Sequence, residues 1–406
     1  MTTYTEQEIL LRKSISKIPK TTFGLFSLYK YPAKFIPQTP AFVMENYTKK
    51  GMKVFDPFAG FGTVGYTARI YGLDYELWDL NPLLGYLHSI CEIEPNFSYK
   101  KLIDEIKNYR QEFIPEWSNL DYWHPKEFIQ ILSKAWGFYH YSADEYTKKI
   151  LIIPLLNATK FFSYADEKIH KLYKSKFAKV KVERLMKEDY KNLFYNFLEN
   201  QFKNLKQKIK EYQSLNPKRV NYKIKAGVDI LKENLEEPVN LLITSPPYIQ
   251  AQEYIRTVKL DLFWLGFKEE QIRDLSKKEI PYRNTPRIEV FSDTYYSYRL
   301  LINEKHLLKL YDSYFFAILS VFDKLSKNVS DYMFIFVGNA KVRGWQIPIY
   351  QIIIEHMENS KDWMHEITYI DKIISRVMFS TKKNPATGMD DSRMDKEYLI
   401  VFRRKK

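Results

Sequence analysis

MKVFDPFAGFGTVGYTARIYGLDYELWDLNP, residues 52–82, changes its hydrophobic period twice within one short stretch. Lys53–Asp56, closed by a proline, reads as a strand. Thr63–Tyr71 has helical spacing, and Tyr75–Asp79 reads as a second strand. Strand, helix and strand in that order begin an alternating unit with parallel strands, which implies a right-handed crossover. Gly60 and Gly62 fall in the turn between strand and helix, in a chain with only 13 glycines among 406 residues. Glycines there let backbone approach a ligand closely, and the helix amino end adds unpaired N–H groups facing it. Asp79 stands at the carboxyl end of the second strand, where an acidic side chain can accept two hydrogen bonds from a ribose diol; Asp before Leu-Asn-Pro is equally good turn chemistry. Taken alone, the glycine turn suits a dinucleotide or simple tight packing, and it leaves the ligand open.

Further along, VNLLI (Val239 to Ile243) is continuously apolar, the pattern of a strand buried on both faces of a parallel sheet. TSPPY follows it. Pro246 and Pro247 cannot donate to a ladder, so the strand must stop near Ser245 in a rigid, non-helical turn. Open α/β sheets bind ligands at that edge. Other strands are expected near Asn221–Ala226 and Asp331–Asn339, the latter fed by a helix over His306–Leu325. Two last runs, His365–Ser375 and Lys396–Arg403, are expected to form an antiparallel edge.

Between Asn96 and Tyr222 the alternation halts. This span is rich in Tyr, Phe and Lys, has helical spacing, and holds about +9 of the +14 formal charge. The chain therefore divides into residues 1–95, a basic helical insert over 96–222, and residues 223–406. An excess of 63 basic over 49 acidic residues points to a polyanionic partner rather than to any fold. The single cysteine, Cys91, excludes an internal disulfide and a cysteine-rich metal site. Seven histidines show no HExxH-like spacing, so no metal is expected. No run of about 18 apolar residues appears, which argues against a membrane span. The first residues lack the apolar core of a signal peptide, and a cytoplasmic protein is expected.

FAGFG (Phe58 to Gly62) paired with a downstream TSPPY resembles the S-adenosyl-L-methionine (AdoMet)-dependent amino-methyltransferases of DNA. YPAKFIPQTP (Tyr31 to Pro40) is similar to that family's amino-terminal cofactor segment, and YIRTVKLDLFWLGF (Tyr254 to Phe267) to the segment after its catalytic loop. The resemblance implies a class I (Rossmann-like) methyltransferase fold: a mainly parallel seven-stranded sheet with an antiparallel edge strand, plus the helical insert. It implies AdoMet as cofactor, with Phe58, Gly60 and Gly62 bracketing its methionine part and Thr63 and Asn81 also among the cofactor-binding residues. Asp56 would lie near its amino group, Asp79 at the ribose, Asp229 at the adenine amine, and Lys34 or Phe35 at the methionine end.

The resemblance also implies a catalytic role for Ser245, Pro246, Pro247 and Tyr248. An exocyclic amine is a poor nucleophile because its lone pair is delocalised into the base. Acceptors from Ser245 and the Pro246 carbonyl, aimed at its N–H bonds, favour a tetrahedral nitrogen, with Pro247 holding the turn. Tyr248 would stack on a base extruded from the duplex, and the methyl would move by direct displacement, helped by positioning. No Pro-Cys pair exists, which disfavours methylation of a ring carbon. Serine at the first position of the loop points, within the family, to the N4 amine of cytosine over adenine N6. An RNA amino-methyltransferase and a non-enzymatic DNA binder on the same fold are more distant alternatives. Double-stranded DNA is the expected partner, and a restriction endonuclease acting on the same site a possible companion. Lys171, Lys174, Lys176, Lys179 and Lys181, set among Tyr173 and Phe177, are the expected DNA contacts.

Overall fold

The computed structural model describes residues 4–31, 34–169, 171–249, 253–342, 344–373 and 395–406. Pro32 and Ala33 of the amino-terminal segment, His170 of the lysine stretch, and residues 374–375 of the expected penultimate strand lie outside them. The strands in chain order are β1 (Glu6–Ile9), β2 (Lys53–Asp56), β3 (Asp74–Asp79), β4 (Tyr222–Ala226), β5 (Val239–Thr244), β6 (Val329–Gly338), β7 (Ala340–Val342), β8 (Trp345–Ile347), β9 (Trp363–Lys372) and β10 (Lys396–Arg404). Eight of them form one sheet in the order β1-β9-β10-β6-β5-β2-β3-β4, and β7 and β8 make a small separate hairpin.

From β6 to β4 every neighbouring pair is parallel. β10 runs antiparallel to both β6 and β9. This is the α/β, Rossmann-like methyltransferase architecture, with all seven expected strands present. Two details differ from expectation. The antiparallel strand β10 lies inside the sheet, between β6 and β9. An eighth strand, β1, adds to β9 in parallel and becomes the edge.

Both faces of the sheet are covered, which explains the unbroken apolar runs. Side chains alternate across a strand. Val54, Leu241, Ile243, Phe334, Phe336, Leu399 and Val401 therefore enter one core, while Phe55, Leu242, Met333, Ile335, Val337, Ile400 and Phe402 enter the other. The second core is closed by the helices Lys305–Leu325 and Ile349–Glu358. The first is closed by the helix Thr63–Tyr71 and by the basic insert.

The insert folds into helices that include Lys126–Tyr141, Glu145–Phe161, Lys176–Lys187 and the 24-residue Tyr190–Gln213. Trp136, Leu151, Phe162, Leu198 and Phe202 belong to the same buried cluster as the sheet residues. The insert thus packs directly on the sheet's own layer. Tyr212 fixes the join: its hydroxyl donates to the Tyr66 carbonyl at 2.7 Å. Its backbone also lies so near Gly24 that a Cβ there would meet it at 2.9 Å.

The chain runs β2, β3, β4 toward one side and then returns to lay β5 and β6 on the other side of β2. Between β2 and β5 the direction of winding reverses, and the loops leaving their carboxyl ends part to leave a crevice. Among the described residues no helix is long and apolar enough to cross a membrane.

Candidate active site

The loop after β2 is built by short-range bonds. Asp56, 1% exposed, accepts from the Phe58 N–H at 3.1 Å and from the Thr244 hydroxyl at 2.7 Å. One carboxylate thereby ties the carboxyl end of β2 to that of β5. Burial pushes this carboxyl up to about 7, against the pull of those two donors. Gly60 then turns through φ +53°, and its N–H donates to Asp79 Oδ2 at 2.7 Å. The other oxygen of Asp79 accepts from the Asn81 N–H at 2.7 Å. Burial pushes the Asp79 carboxyl up to about 6. A Cβ on Gly60 would sit 3.1 Å from the Tyr31 ring.

Gly60, Gly62 and Gly65 have the spacing G-x-G-x-x-G. The second and third let the helix Thr63–Tyr71 settle on β3 and His88: a Cβ on Gly62 would meet His88 Nδ1 at 2.7 Å, and one on Gly65 would meet Leu77 and His88 at 2.7 Å and Tyr75 at 2.8 Å. His88 is fully buried, bonded to the Tyr75 hydroxyl at 2.7 Å and stacked on Tyr66. Burial pushes its pKa down to about 3, so the ring is a neutral wedge.

One cavity opens above this loop. Its wall includes Lys34, Phe35, Phe58, Gly60, Asp79, Asn81 and Asp229, together with Ser245 and Pro247 from the loop after β5. The glycine loop and the SPPY loop therefore face a common space. Tyr31, Phe61, Ile230, Tyr254, Ile255, Lys278, Glu279 and Ile280 complete much of the remaining wall. Asp56, Gly62, Thr63, Pro246 and Tyr248 are not part of it among the described residues. Gly62 caps the helix Thr63–Tyr71 in a left-handed conformation, and Thr63 is buried. Tyr248 is partly buried, and its hydroxyl donates to Glu397 Oε1 of β10 at 2.9 Å. Burial and the Glu397 carboxylate hold that phenol well above its ordinary range.

The charged groups around the cavity are shaped by burial. Lys34 donates to the Phe26 and Tyr29 carbonyls at 2.9 and 2.8 Å, and its ammonium lies 3.7 Å over the Phe61 ring. Burial pushes it down to about 7. Phe35 stacks on Phe336 of β6. Tyr29 in turn donates to Asp261 Oδ2 at 2.6 Å, which joins the amino-terminal segment to the one after the SPPY loop. Asp229 accepts from Arg283 Nη1 at 2.6 Å and from Nη2 at 3.2 Å. Burial raises its pKa, but the guanidinium outweighs this and the carboxyl stays low. Glu279 accepts from the Ile255 N–H at 2.9 Å, and burial pushes it up to about 7. Among the described residues no group of three or more His, Cys, Asp or Glu could hold a metal ion.

The lysine stretch is divided. Lys171 pairs with Glu253 at 2.8 Å and Lys181 with Glu167 at 2.9 Å. Lys174 donates to the Tyr122 carbonyl at 2.8 Å and lies 3.8 Å over the Tyr164 ring. Lys176 and Lys179 are exposed, beside Tyr173, Val180 and a Phe177 that is 79% exposed.

No protein-family model matches the chain. It is similar to the Type II methyltransferase M.MvaI of Kocuria varians, at 22% identity over 416 residues covering 92% of this chain and 89% of that protein. It is also similar to the Type II methyltransferase M.BsoBI of Geobacillus stearothermophilus, at 23% identity over 326 residues. That match covers 72% of this chain and 63% of the relative. Both similarities support a methyltransferase family. The methyltransferase motifs lead to nine residues of the cavity wall, from Lys34 to Pro247. They do not lead to Glu279, which sits in KKEIPYR without any pattern that marks it, nor to Lys278 beside it. Tyr31 and Tyr254 begin the two segments that resemble the methyltransferases, and that position was the available signal for them.

Proposed function

We propose that the chain transfers a methyl group from AdoMet to the exocyclic N4 amine of cytosine in double-stranded DNA, as one half of a restriction-modification pair. The observation that carries this is the shared cavity, with Gly60 and Asp79 on one wall and Ser245 and Pro247 on another. The residues present fit the cofactor. Gly60 offers backbone without a Cβ, Asp79 receives two backbone donors among the described residues and keeps free lone pairs, and Phe58, Ile230 and Ile280 supply apolar wall. Asp79 would hold the ribose diol, Phe58 and Gly60 the middle of the molecule, Lys34 and Phe35 its methionine end, and Asp229 the adenine amine. Bound AdoMet supplies a methyl group made electrophilic by its sulfonium.

The rest of the chemistry belongs to the chain. Ser245 and the Pro246 carbonyl accept the amine's two N–H bonds and so free its lone pair. Pro246 and Pro247 fix the loop, so that little reorganisation is needed when the base arrives. Tyr248 lies outside the cavity wall, anchored through Glu397, and its assigned role is to stack on the base as it enters beside Pro247. Thr244 and Asp56 tie the two loops to one another at their roots. Lys176 and Lys179, with Phe177 and Tyr173 between and beside them, form an exposed basic and aromatic surface suited to a phosphate backbone.

Mass spectrometry of nucleosides from duplex DNA incubated with the protein and isotopically labelled AdoMet tests the assignment. Labelled N4-methylcytosine is the expected product. N6-methyladenine would move the target to adenine, and label in RNA alone would overturn the substrate.

A further inference from the structure

Glu253 joins the insert to the segment that follows the SPPY loop. A single oxygen, Oε2, accepts from Lys171 Nζ at 2.8 Å and from Arg256 Nη1 at 2.9 Å. The two cations come from separate parts of the chain and are 49% and 50% exposed, while the carboxylate is 38% exposed. Lys171 and Arg256 together hold that carboxyl below its ordinary range. Glu253 and Arg256 line a groove that continues past Trp117, Tyr122, Lys259 and Arg273. Lys259 lies 5.5 Å over the Trp117 ring. Arg273 is 65% exposed, with Glu269 at 3.7 Å.

One anionic oxygen shared by a lysine and an arginine is the environment that a phosphate oxygen takes in a nucleic-acid complex. Exposed ion pairs of this kind contribute little to stability, so an incoming anion can displace the carboxylate at little cost. A polyanion gains more than a single phosphate would, because Lys259 and Arg273 wait further along the same groove. We propose that Glu253 occupies, in the free protein, the place of a DNA backbone phosphate, and that duplex binding exchanges this carboxylate for phosphate between Lys171 and Arg256. This rests on the DNA reading given above. The turn Tyr254–Thr257 carries the consequence: Tyr254 and Ile255 face the cofactor cavity while Arg256 faces the groove. The phosphate grip and the cavity wall are therefore parts of one short element.

Fluorescence anisotropy of a labelled duplex, titrated at several salt concentrations, tests the exchange with the wild type, Glu253→Gln, Lys171→Ala and the double variant. Glu253→Gln should bind several-fold tighter at low salt, with a plot of log K against log salt steeper by about one. Lys171→Ala should bind more weakly and with a shallower slope. In the double variant the gain from Glu253→Gln should shrink, because the two residues act on one and the same phosphate position. AdoMet affinity, measured by calorimetry, should stay within about two-fold, as expected for groups outside the cavity. Unchanged affinity and slope for Glu253→Gln, in a protein whose wild type binds duplex, would overturn the exchange alone. So would strict additivity. A wild type that binds no duplex would overturn the DNA reading itself.

Discussion

Asp56 and Asp79 end neighbouring strands, and burial pushes their carboxyls up to about 7 and about 6. For Asp56 the folded value lies above the ordinary 3.8. The folded chain therefore holds an extra proton across that window and loses relative stability as pH rises through it. Asp56→Asn keeps an acceptor for Phe58 and Thr244 but carries no charge. Its unfolding free energy in denaturant, minus that of the wild type, should rise between about pH 4 and about pH 7 and then level off, the change amounting to a few kcal/mol. An identical difference at both ends of that range would contradict the buried placement.

Ser245 tests a different property, because the proposed function assigns it to the base and not to the cofactor. Ser245→Ala should lower turnover by ~100-fold, the usual scale for removing a polar group aimed at the reacting atoms. It should leave AdoMet affinity within a few-fold when binding is measured by calorimetry. Collapse of AdoMet binding with turnover retained would reverse the two roles. At this scale the sequence is informative wherever a residue stands at a strand's carboxyl end, as Asp79 and Ser245 do. Glu279 stands in no such place. It reaches the cavity by the folding of the helix Glu269–Lys278 against the turn Tyr254–Thr257, a long-range event without local signature.

Elements are positioned by close approach, and the glycines show where. Gly65→Ala would place a Cβ under 3 Å from Tyr75, Leu77 and His88 together. Three buried side chains cannot all yield, so a loss of ~1–3 kcal/mol is expected in denaturant unfolding, as for other overpacked cores. A variant as stable as the wild type would show that the helix Thr63–Tyr71 stands further from β3. Tyr212→Phe removes the hydroxyl that joins the long insert helix to Tyr66 and should cost ~1 kcal/mol, the usual net contribution of one hydrogen bond.

The strands that form the site were legible because burial on both faces writes continuous apolar runs, as in VNLLI. β1 was not: EQEI is four residues long and largely exposed, and it is a strand only because β9 offers it a partner. The inside position of β10 was equally hidden, since strand order follows from pairing and leaves no mark on either strand's composition.

Across the whole molecule, charge and shape divide the insert into two sides. One side fills the core that the sheet presents, through Trp136, Leu151 and Phe202. The other carries cations, of which Lys174 and Lys181 are already engaged inside the chain while Lys176 and Lys179 are exposed. The lysine cluster was readable as a basic patch, but which members are free depends on Tyr122, Tyr164 and Glu167, and Tyr122 lies far from them in sequence. Replacing Lys176 and Lys179 by Ala should weaken duplex binding uniformly over sequences and flatten its salt dependence by about two, one for each phosphate left without its cation. An unchanged slope would make that face a solvated surface only.

Everything at this scale depends on one cavity serving both the β2 loop and the β5 loop. A crystal structure of the protein with S-adenosylhomocysteine measures this directly. The expected position of the ligand is between Gly60 and Asp79, with its sulfur turned toward Ser245 and Pro247. Density for the ligand in a different place, or with its sulfur turned away from Ser245, would contradict it.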